Sequence, residues 1–414
     1  MSSLTLIGAH RAVSSLLETR PKSWDVVRFK GLFDRLDQRN SDLSYEMLSL
    51  RSTGEVVARA ELGGRQEPDE ISLPRYLVAE IGDLVVNPMW LIGGGIGVSQ
   101  RAGAVSPDYR VFRIRGALLP RFIHYLLRSK PYLDQYLLYT RAQTTFDRRV
   151  QQPDLDNLPI PVPPPEEQRA IVDYLDRETA RIDTLIEEQR LLIEMLRERR
   201  EATIRSALLS GLDNVETAPS GVELLGAVPK HWRMVPTRHL CTITTGSEDS
   251  GNATDDGEYP FYVRGREVLR IDHYSFEGEA VMTPGDGQGG TGKVFHYFDG
   301  KFEAHQRVYV FTDFADVTGW YFYYFLSTFL RPVALAGSNT VTMESLRRPL
   351  LADFKVAVPP IDEQQRITAH LDDQTTKIDT LIAEAERLID LVRERRSALI
   401  TAAVAGMIDL GEAR

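Results

Sequence analysis

The sequence predicts an α+β protein built from two similar halves, each ending in a long helix. Three observations predict it. A block of 39 residues, 162–200, returns at 358–396 with a constant offset of 196 and no gap, and 21 of its positions are identical. Both copies carry apolar residues at helical spacing along their length. The regions ahead of them hold short stretches rich in valine and aromatic residues that cluster as strands before helices, without regular alternation. Two copies of so large a unit mean duplication with pseudo-two-fold symmetry, because a solenoid needs at least about three short repeats.

Each half opens on P-x-x-W, as Pro21-Lys22-Ser23-Trp24 and Pro229-Lys230-His231-Trp232. Gly82-Asp83-Leu84-Val85-Val86 then corresponds to Gly278-Glu279-Ala280-Val281-Met282, and Tyr125-Leu126-Leu127 resembles Tyr324-Phe325-Leu326. Arg110-Val111-Phe112-Arg113-Ile114 and Arg307-Val308-Tyr309-Val310-Phe311 read as strands. Residues 320–330, WYFYYFLSTFL, read as one buried helix. Pro163-Pro164-Pro165 and Pro359-Pro360 end the preceding structure ahead of each repeated block. Glu166-Glu167 and Asp362-Glu363 place acids in the first turn, where the helix dipole favours them. Arg197, Arg199 and Arg200, like Arg393, Arg395 and Arg396, lie towards the other end. No proline or glycine interrupts before Gly211 and Gly406. The first helix thus runs from Glu166 to Ser210, about 45 residues and roughly 65–70 Å.

Ile171, Leu175, Ile182, Leu185, Leu192 and Leu196 follow a 3–4 spacing, as do Ile367, Leu371, Ile378, Leu381, Leu388 and Val392. This is a coiled-coil seam. Matching seam positions are poorly apolar in both copies: Glu178 and Gln374, then Gln189 and Ala385. A helix this long cannot bury its stripe alone. The shared defects make the other copy its partner, and antiparallel pairing suits two helices joined by a whole domain. The chain accordingly divides into globular regions at 1–157 and 215–353 and helical regions at 158–214 and 354–414.

The 414 residues suffice for two or three domains with real cores. No run of about 18 apolar residues exists to span a membrane, and the N-terminus lacks the pattern of a signal peptide. Cys241 is the only cysteine, which excludes an internal disulfide and a cysteine-based zinc cluster and fits a reducing cytoplasm. The net charge of −10 argues mildly against a nucleic-acid binder. It is uneven, at +3, −4, −6 and −3 over the four regions in order. Any DNA binding must therefore use local patches or help from partners.

Catalytic motifs fail when tested. Gly285-Asp286-Gly287-Gln288-Gly289-Gly290 fits G-x-G-x-x-G, but strand-like sequence follows where a dinucleotide site needs a helix. Residues 287–293 fit G-x-x-x-x-G-K, yet Val294 stands where magnesium needs a hydroxyl. The first half has its own glycine run, Gly93-Gly94-Gly95-Ile96-Gly97, at nearly the matching place, so both read as structural loops. Asn87-Pro88-Met89-Trp90 is similar to the N-P-P-[FY] motif of adenine methyltransferases, but it lacks the second proline and a glycine-rich methyl-donor site. The second half has Thr283-Pro284-Gly285 instead. Asp353-Phe354-Lys355 is a lone D-x-K without a further acid. The eight histidines form no H-x-x-x-H pair, so no metal site is predicted. No catalytic, cofactor-binding or metal-ligating residue is predicted for this chain.

Some residues are suited to nucleic acid. Arg101, Arg110, Arg113, Arg115, Arg121 and Arg128 concentrate in the first globular region, and arginine serves both phosphate and guanine. Gln143-Thr144-Thr145 and Ser338-Asn339-Thr340 precede the helices at matching positions. The DNA-contact candidates are Arg101, Arg110, Arg113, Gln143, Thr144, Arg148, Arg149, Lys293, His296, Arg307, Asn339 and Thr340.

The repeated V-P-P-x-x-E-Q, the I-D-T-L-I helix and R-E-R-R resemble the duplicated helical regions of type I restriction-modification DNA-specificity subunits. The P-x-x-W entries and the G-D-x-x-V step are similar to that family too. The resemblance implies two target-recognition domains separated by two antiparallel helices, each domain reading one half of a split DNA site, with the helices setting the spacing. Because the halves differ, the two half-sites should differ. It further implies two modification subunits that carry the methyltransferase chemistry, and restriction subunits with translocase and nuclease activity. S-adenosylmethionine, ATP and magnesium would then belong to those partners. The other reading of the residues is a stand-alone DNA-binding or scaffold protein with a coiled-coil core and no methyltransferase partner.

Overall fold

The computed structural model describes residues 11–62, 72–140, 149–286, 292–336 and 346–409. The chain forms two compact units. The first takes Met1–Gln189 with Arg387–Arg414, and the second takes Arg190–Glu386. Each unit contains one globular region, part of the central helix Pro165–Ser210 and part of the C-terminal helix Ile361–Val404.

In the first unit, strand Asp25–Arg28 pairs antiparallel with Pro159–Val162 and closes the globular region on itself. Between them lies a four-stranded antiparallel sheet in the order Phe33–Leu36, Arg110–Ile114, Leu84–Val86, Ile96–Val98, with two separate two-stranded pairs beside it. Helices Arg11–Thr19, Pro120–Leu127 and Lys130–Tyr139 cover this sheet. Trp24, Phe29, Phe112, Phe122, Tyr132 and Tyr136 form the core with Ile171 and Leu175 of the central helix and Ala403 and Val404 of the C-terminal one.

In the second unit, Arg233–Pro236 pairs with Lys355–Val358 in the same closing role. The sheet differs. Six strands run in the order Thr242–Thr245, Val308–Thr312, Phe276–Pro284, His296–Ala304, Tyr259–Tyr262, Val268–Ile271, with one parallel pairing between Tyr259–Tyr262 and His296–Ala304. The aromatic run is a single helix, Gly319–Ala336, whose Tyr321, Phe322, Phe325 and Phe329 are buried. Ile204 and Leu208, with Ile367 and Leu371, complete this core.

The helical seam is shifted from the expected one. Ile171, Leu175, Ile367, Leu371, Ile378, Leu196 and Val392 are buried as expected, and Ile182 is half-buried. Leu192, Leu381 and Leu388, however, are 37%, 49% and 37% exposed, and Leu185 is only half-buried. Ile186, Ile193 and Ile389 are the buried residues, and Thr179 and Thr375 occupy the seam in place of Glu178 and Gln374. The seven-residue repeat itself is kept, with Leu175, Ile182 and Leu196 in one row and Thr179, Ile186 and Ile193 in the other. The second row lies four residues after the first and not three, so the seam faces one residue further round the helix. Thr179 and Thr375 satisfy their hydroxyls by donating to the carbonyls of Leu175 (2.6 Å) and Leu371 (2.7 Å).

Pairing is antiparallel in each unit and is reciprocal between the repeats. In the first, Arg396 grips Asp183 with two hydrogen bonds of 3.0 and 3.3 Å. In the second, Arg200 grips Asp379 at 2.8 and 3.2 Å, and Arg197 reaches Glu386 at 3.2 Å. The aspartate of each I-D-T segment thus receives the arginine that ends the other block. These pairs are exposed and add at most about 1 kcal/mol each, but their two-point geometry specifies register.

The P-x-x-W and E-Q motifs meet as a clamp. Trp24 Nε1 donates to Glu167 Oε2 at 2.7 Å, and Trp232 Nε1 donates to Glu363 Oε1 at 3.1 Å. Both indoles are buried. Against them pack the left-handed glycines that end the opposite helices, Gly406 on Trp24 and Gly211 on Trp232. Next to each glutamate, the buried Gln168 and Gln364 lock the proline turn. Gln168 Nε2 donates to Pro163 O at 2.8 Å, and its Oε1 accepts from the Leu119 N–H at 2.8 Å. Gln364 Nε2 donates to Pro359 O and Asp316 O, both at 2.9 Å, and its Oε1 accepts from the Thr318 N–H at 2.8 Å. The matched tyrosines complete the seat, as Tyr125 and Tyr324 donate to Asp176 and Asp372 at 2.5 and 2.7 Å.

Candidate nucleic-acid interface

The arginines of the first globular region are mostly committed to its own structure. Arg113 lies on the strand beside Leu84–Val86 and makes a two-point pair with the buried Asp83, at 2.9 and 3.2 Å. Hydrogen bonding to this carboxylate raises the Arg113 pKa. Arg115 pairs with Asp34, and Arg101 with Glu61 at 2.8 Å. Arg110 corrects the sequence expectation. Strand alternation turns it inward, where it is 9% exposed and donates to Val150 O at 3.1 Å. Burial, then Arg35 and Arg149, lower its pKa. It is a structural residue, not a surface contact. Arg149 stays at the surface, 3.6 Å from Asp108.

Arg128 takes the glycine run as its partner. Its guanidinium donates to the carbonyls of Gly94, Ile96 (3.2 Å) and Ser52 (2.9 Å), and burial followed by the nearby Arg396 brings its pKa down to about 10. The run is therefore a structural loop pinned by an arginine.

His124 makes the first unit sensitive to acid. Burial, first, and then Arg128 and Arg121 push its pKa from 6.5 to about 3, with Asp176 opposing and Arg396 adding a small push. The folded value lies below the unfolded one, so the unfolded chain binds the extra proton as pH falls. Stability of the first unit is expected to decline from about pH 6.5 towards pH 3. The ring keeps part of its surface open to solvent, so the slope should be a fraction of one proton. Denaturant melts across this range should show the slope flattened in His124→Gln; an unchanged slope assigns it elsewhere.

In the second unit, cations collect in a groove of about 800 Å³ along the central helix. Arg197 and Arg200 of the central helix line it, together with Trp320, Tyr323, Arg266, Lys293 and His296. Trp320 and Tyr323 stack at 5.0 Å with planes 2° apart. His296 packs against Tyr262 and sits 3.1 Å from Gly265 O, and burial lowers its pKa. Arg307 lies outside the groove and pairs with Asp286 at 2.8 Å. Arg266 escaped the sequence reading because its turn follows a strand with no recognisable motif. Gln143, Thr144, Arg148, Asn339 and Thr340 lie outside the described residues.

Phe276–Pro284 and His296–Ala304, which flank the second glycine run, pair antiparallel as strands. Among the described residues no group of three or more His, Cys, Asp or Glu side chains is placed to hold a metal ion.

Two unlike sheets, each seated by the same tryptophan–glutamate–glutamine clamp on a repeated helical block, define a duplicated α+β protein with a shared frame and divergent surfaces. The chain belongs to the type I restriction modification DNA specificity domain family, whose model matches residues 103–195 and 229–388. It is 29% identical over 181 residues to the type I restriction enzyme EcoDI specificity subunit of Escherichia coli. That alignment spans 44% of this chain and only 39% of the relative's length. Two solved structures share the fold. One is the HsdS subunit from Thermoanaerobacter tengcongensis, with a TM-score of 0.55 and 16% identity over 94% of this chain and 98% of that one. The other comes from work on complex assembly and conformational transition of the type I R-M system, with a TM-score of 0.68 and 19% identity over 93% of this chain and 98% of that one.

Proposed function

We propose that this chain is the sequence-specific DNA-recognition subunit of a type I restriction-modification complex, reading a bipartite, asymmetric site with one unit per half-site. The observation that carries it is the contrast between the two units. The clamp and helix pairing are the same in both, whereas the sheets differ in strand number and order and the globular regions differ in charge, +3 against −6. Conserved seating with divergent surfaces is what two readers of different half-sites require. Two-fold DNA-binding proteins read half-sites about one helical turn apart or a multiple of it, and the paired helices would set that spacing here.

In this reading the chain carries no reaction of its own. Two modification subunits supply adenine methylation with S-adenosylmethionine, and restriction subunits supply ATP- and magnesium-dependent translocation and cleavage. Apolar side chains left in solvent on the helices support docking of such partners: Leu191, Leu192, Met195 and Leu381 in the second unit, and Leu388 and Leu391 in the first. Lys293, Arg266 and Arg149 are the cations best placed for DNA phosphates, with Gln143, Thr144, Arg148, Asn339 and Thr340 retained as candidates. No helix among the described residues is long and apolar enough to cross a membrane.

Co-expression with its modification subunit tests the function. A stable complex that methylates adenine within one split sequence is the expected result. Seven residues added at opposed positions in both helices should lengthen the preferred spacer by about three base pairs, since each residue adds about 1.5 Å. No complex, or methylation without sequence preference, overturns the reading.

A further inference from the structure

Asn87-Pro88-Met89-Trp90 is not a methyltransferase motif, and its structure gives it another use. Trp90 is 58% exposed and Met89 40%, whereas Trp24 and Trp232 are buried and Trp320 bonds Asp372. Nothing in the loop is loose. The Asn87 N–H donates to Gly95 O at 2.8 Å, and the Gly95 N–H donates back to Trp90 O at 2.8 Å. The Trp90 N–H donates to Asn87 O at 3.0 Å, the Gly93 N–H to Trp90 O at 3.0 Å, and the Val150 N–H to Pro88 O at 3.0 Å. The Asn87 side chain holds the Met89 N–H at 3.2 Å. The glycines are required by this wrapping: a Cβ on Gly93 would lie 2.9 Å from the Trp90 ring, and one on Gly95 would lie 2.8 Å from Trp90 O.

The pinned loop presents Trp90 and Met89 side by side in solvent, an apolar pair that forgoes its burial energy unless a partner covers it. Trp90 itself lines a cavity of about 470 Å³, with Leu50 and Leu62 as well as Arg51, Ser52, Thr53 and Asn87. The lining mixes leucines with a guanidinium, hydroxyls and an amide, and it is too small for the broad apolar centre of a protein interface. The pair matches an apolar wedge that enters a base step while polar neighbours hold base edges and backbone.

We propose that Trp90, backed by Met89, is a DNA wedge that unstacks one base step in the half-site read by the first unit. This rests on the DNA-recognition function proposed above. The wedge is one-sided. The matching segment of the second unit, Thr283-Pro284-Gly285, starts inside a strand with Thr283 fully buried, and it carries no aromatic residue. DNA distortion is therefore confined to one half-site.

The test uses the assembled complex with its modification subunit on the duplex identified by methylation mapping, with 2-aminopurine placed at successive positions. Wild type should give a fluorescence rise at one step of one half-site only. Trp90→Ala should abolish that rise and weaken specific binding by roughly ten- to a hundredfold, the range for losing one aromatic–base stack. Trp90→Phe should retain most of both. An unchanged melting temperature and intact complex assembly are expected, because the side chain is exposed. Specific binding with no unstacking, or unstacking that survives Trp90→Ala, overturns the wedge alone. Loss of subunit assembly in Trp90→Ala assigns the residue to a protein contact and also overturns it. Absence of specific binding by the wild-type complex brings down the recognition function itself, and the wedge with it.

Discussion

Trp232→Ala is expected to destabilise the second unit by about 3–5 kcal/mol, the usual cost of truncating a buried tryptophan. The side chain is 6% exposed and meets both long helices of its unit, through Glu363 at the start of one and Gly211 at the end of the other. Truncation opens a cavity between them and removes the N–H donated to Glu363. His231 Nε2, 2.8 Å from the other carboxylate oxygen, remains as a second partner in this unit. In the first unit Ser23 stands at the histidine's place in the motif, so Trp24→Ala leaves Glu167 without a corresponding imidazole and should cost at least as much. Trp232→Phe separates the two contributions. It keeps most of the volume and loses only the hydrogen bond, so its cost should be nearer 1–2 kcal/mol. Urea melts of the full chain, followed by tryptophan emission and by hydrogen exchange in each unit, give these values. Equal costs for the alanine and phenylalanine variants would mean that packing contributes nothing at this site.

Gln364→Leu should cost a comparable amount by a different route. The replacement is close in volume, so no large cavity forms. It strips the partner from three groups at once: the Thr318 N–H, Asp316 O and Pro359 O. A buried polar group left unpaired costs about 1–3 kcal/mol, and since the Pro359 bond is buried and the other two are part-buried, roughly 2–5 kcal/mol is expected. Gln364→Glu makes the cause visible. A carboxylate can accept from Thr318 but cannot donate to the two carbonyls, so the fold favours its protonated form and raises its pKa. A raised folded pKa contributes stability that is present below the unfolded value near 4.3 and is lost as pH rises through the folded one. The glutamate variant should therefore regain stability in mild acid, and the leucine variant should not. Identical pH profiles for the two variants would reject the hydrogen-bond account.

The parts of this molecule legible in the sequence are those that repeat or follow a period. The helices Pro165–Ser210 and Ile361–Val404 start within a residue or two of their prolines and run unbroken almost to their glycines. The aromatic stretch after Thr318 is one helix, and the strands at Arg110–Ile114 and Val308–Thr312 lie where β-rich sequence put them. The candidate interface was less legible. Arginine composition pointed at the first globular region, but Arg110 is buried and Arg113, Arg115 and Arg128 are held by Asp83, Asp34 and backbone carbonyls. A guanidinium's partner can come from any distance along the chain, and local sequence does not record it. Trp90 was read within a motif, not as a surface, because exposure belongs to the loop that the glycines close.

Duplication, the two long helices, their antiparallel partnership and the α+β class follow from the sequence alone, because the offset of 196 and a helical apolar period are local, additive signals. The folded structure decided what depends on angle and on distant contact. It moved the seam from Leu185, Leu192 and Leu388 to Ile186, Ile193 and Ile389, since the side of the apolar stripe that meets the partner helix is settled by packing and not by the seven-residue repeat, which both rows share. It joined tryptophans to glutamates 143 and 131 residues away. It also built a four-stranded sheet in one unit and a six-stranded sheet in the other on the same frame. Strand order and side-chain partnership are set by which surfaces close against each other once the chain is folded, and no short stretch of sequence carries that information.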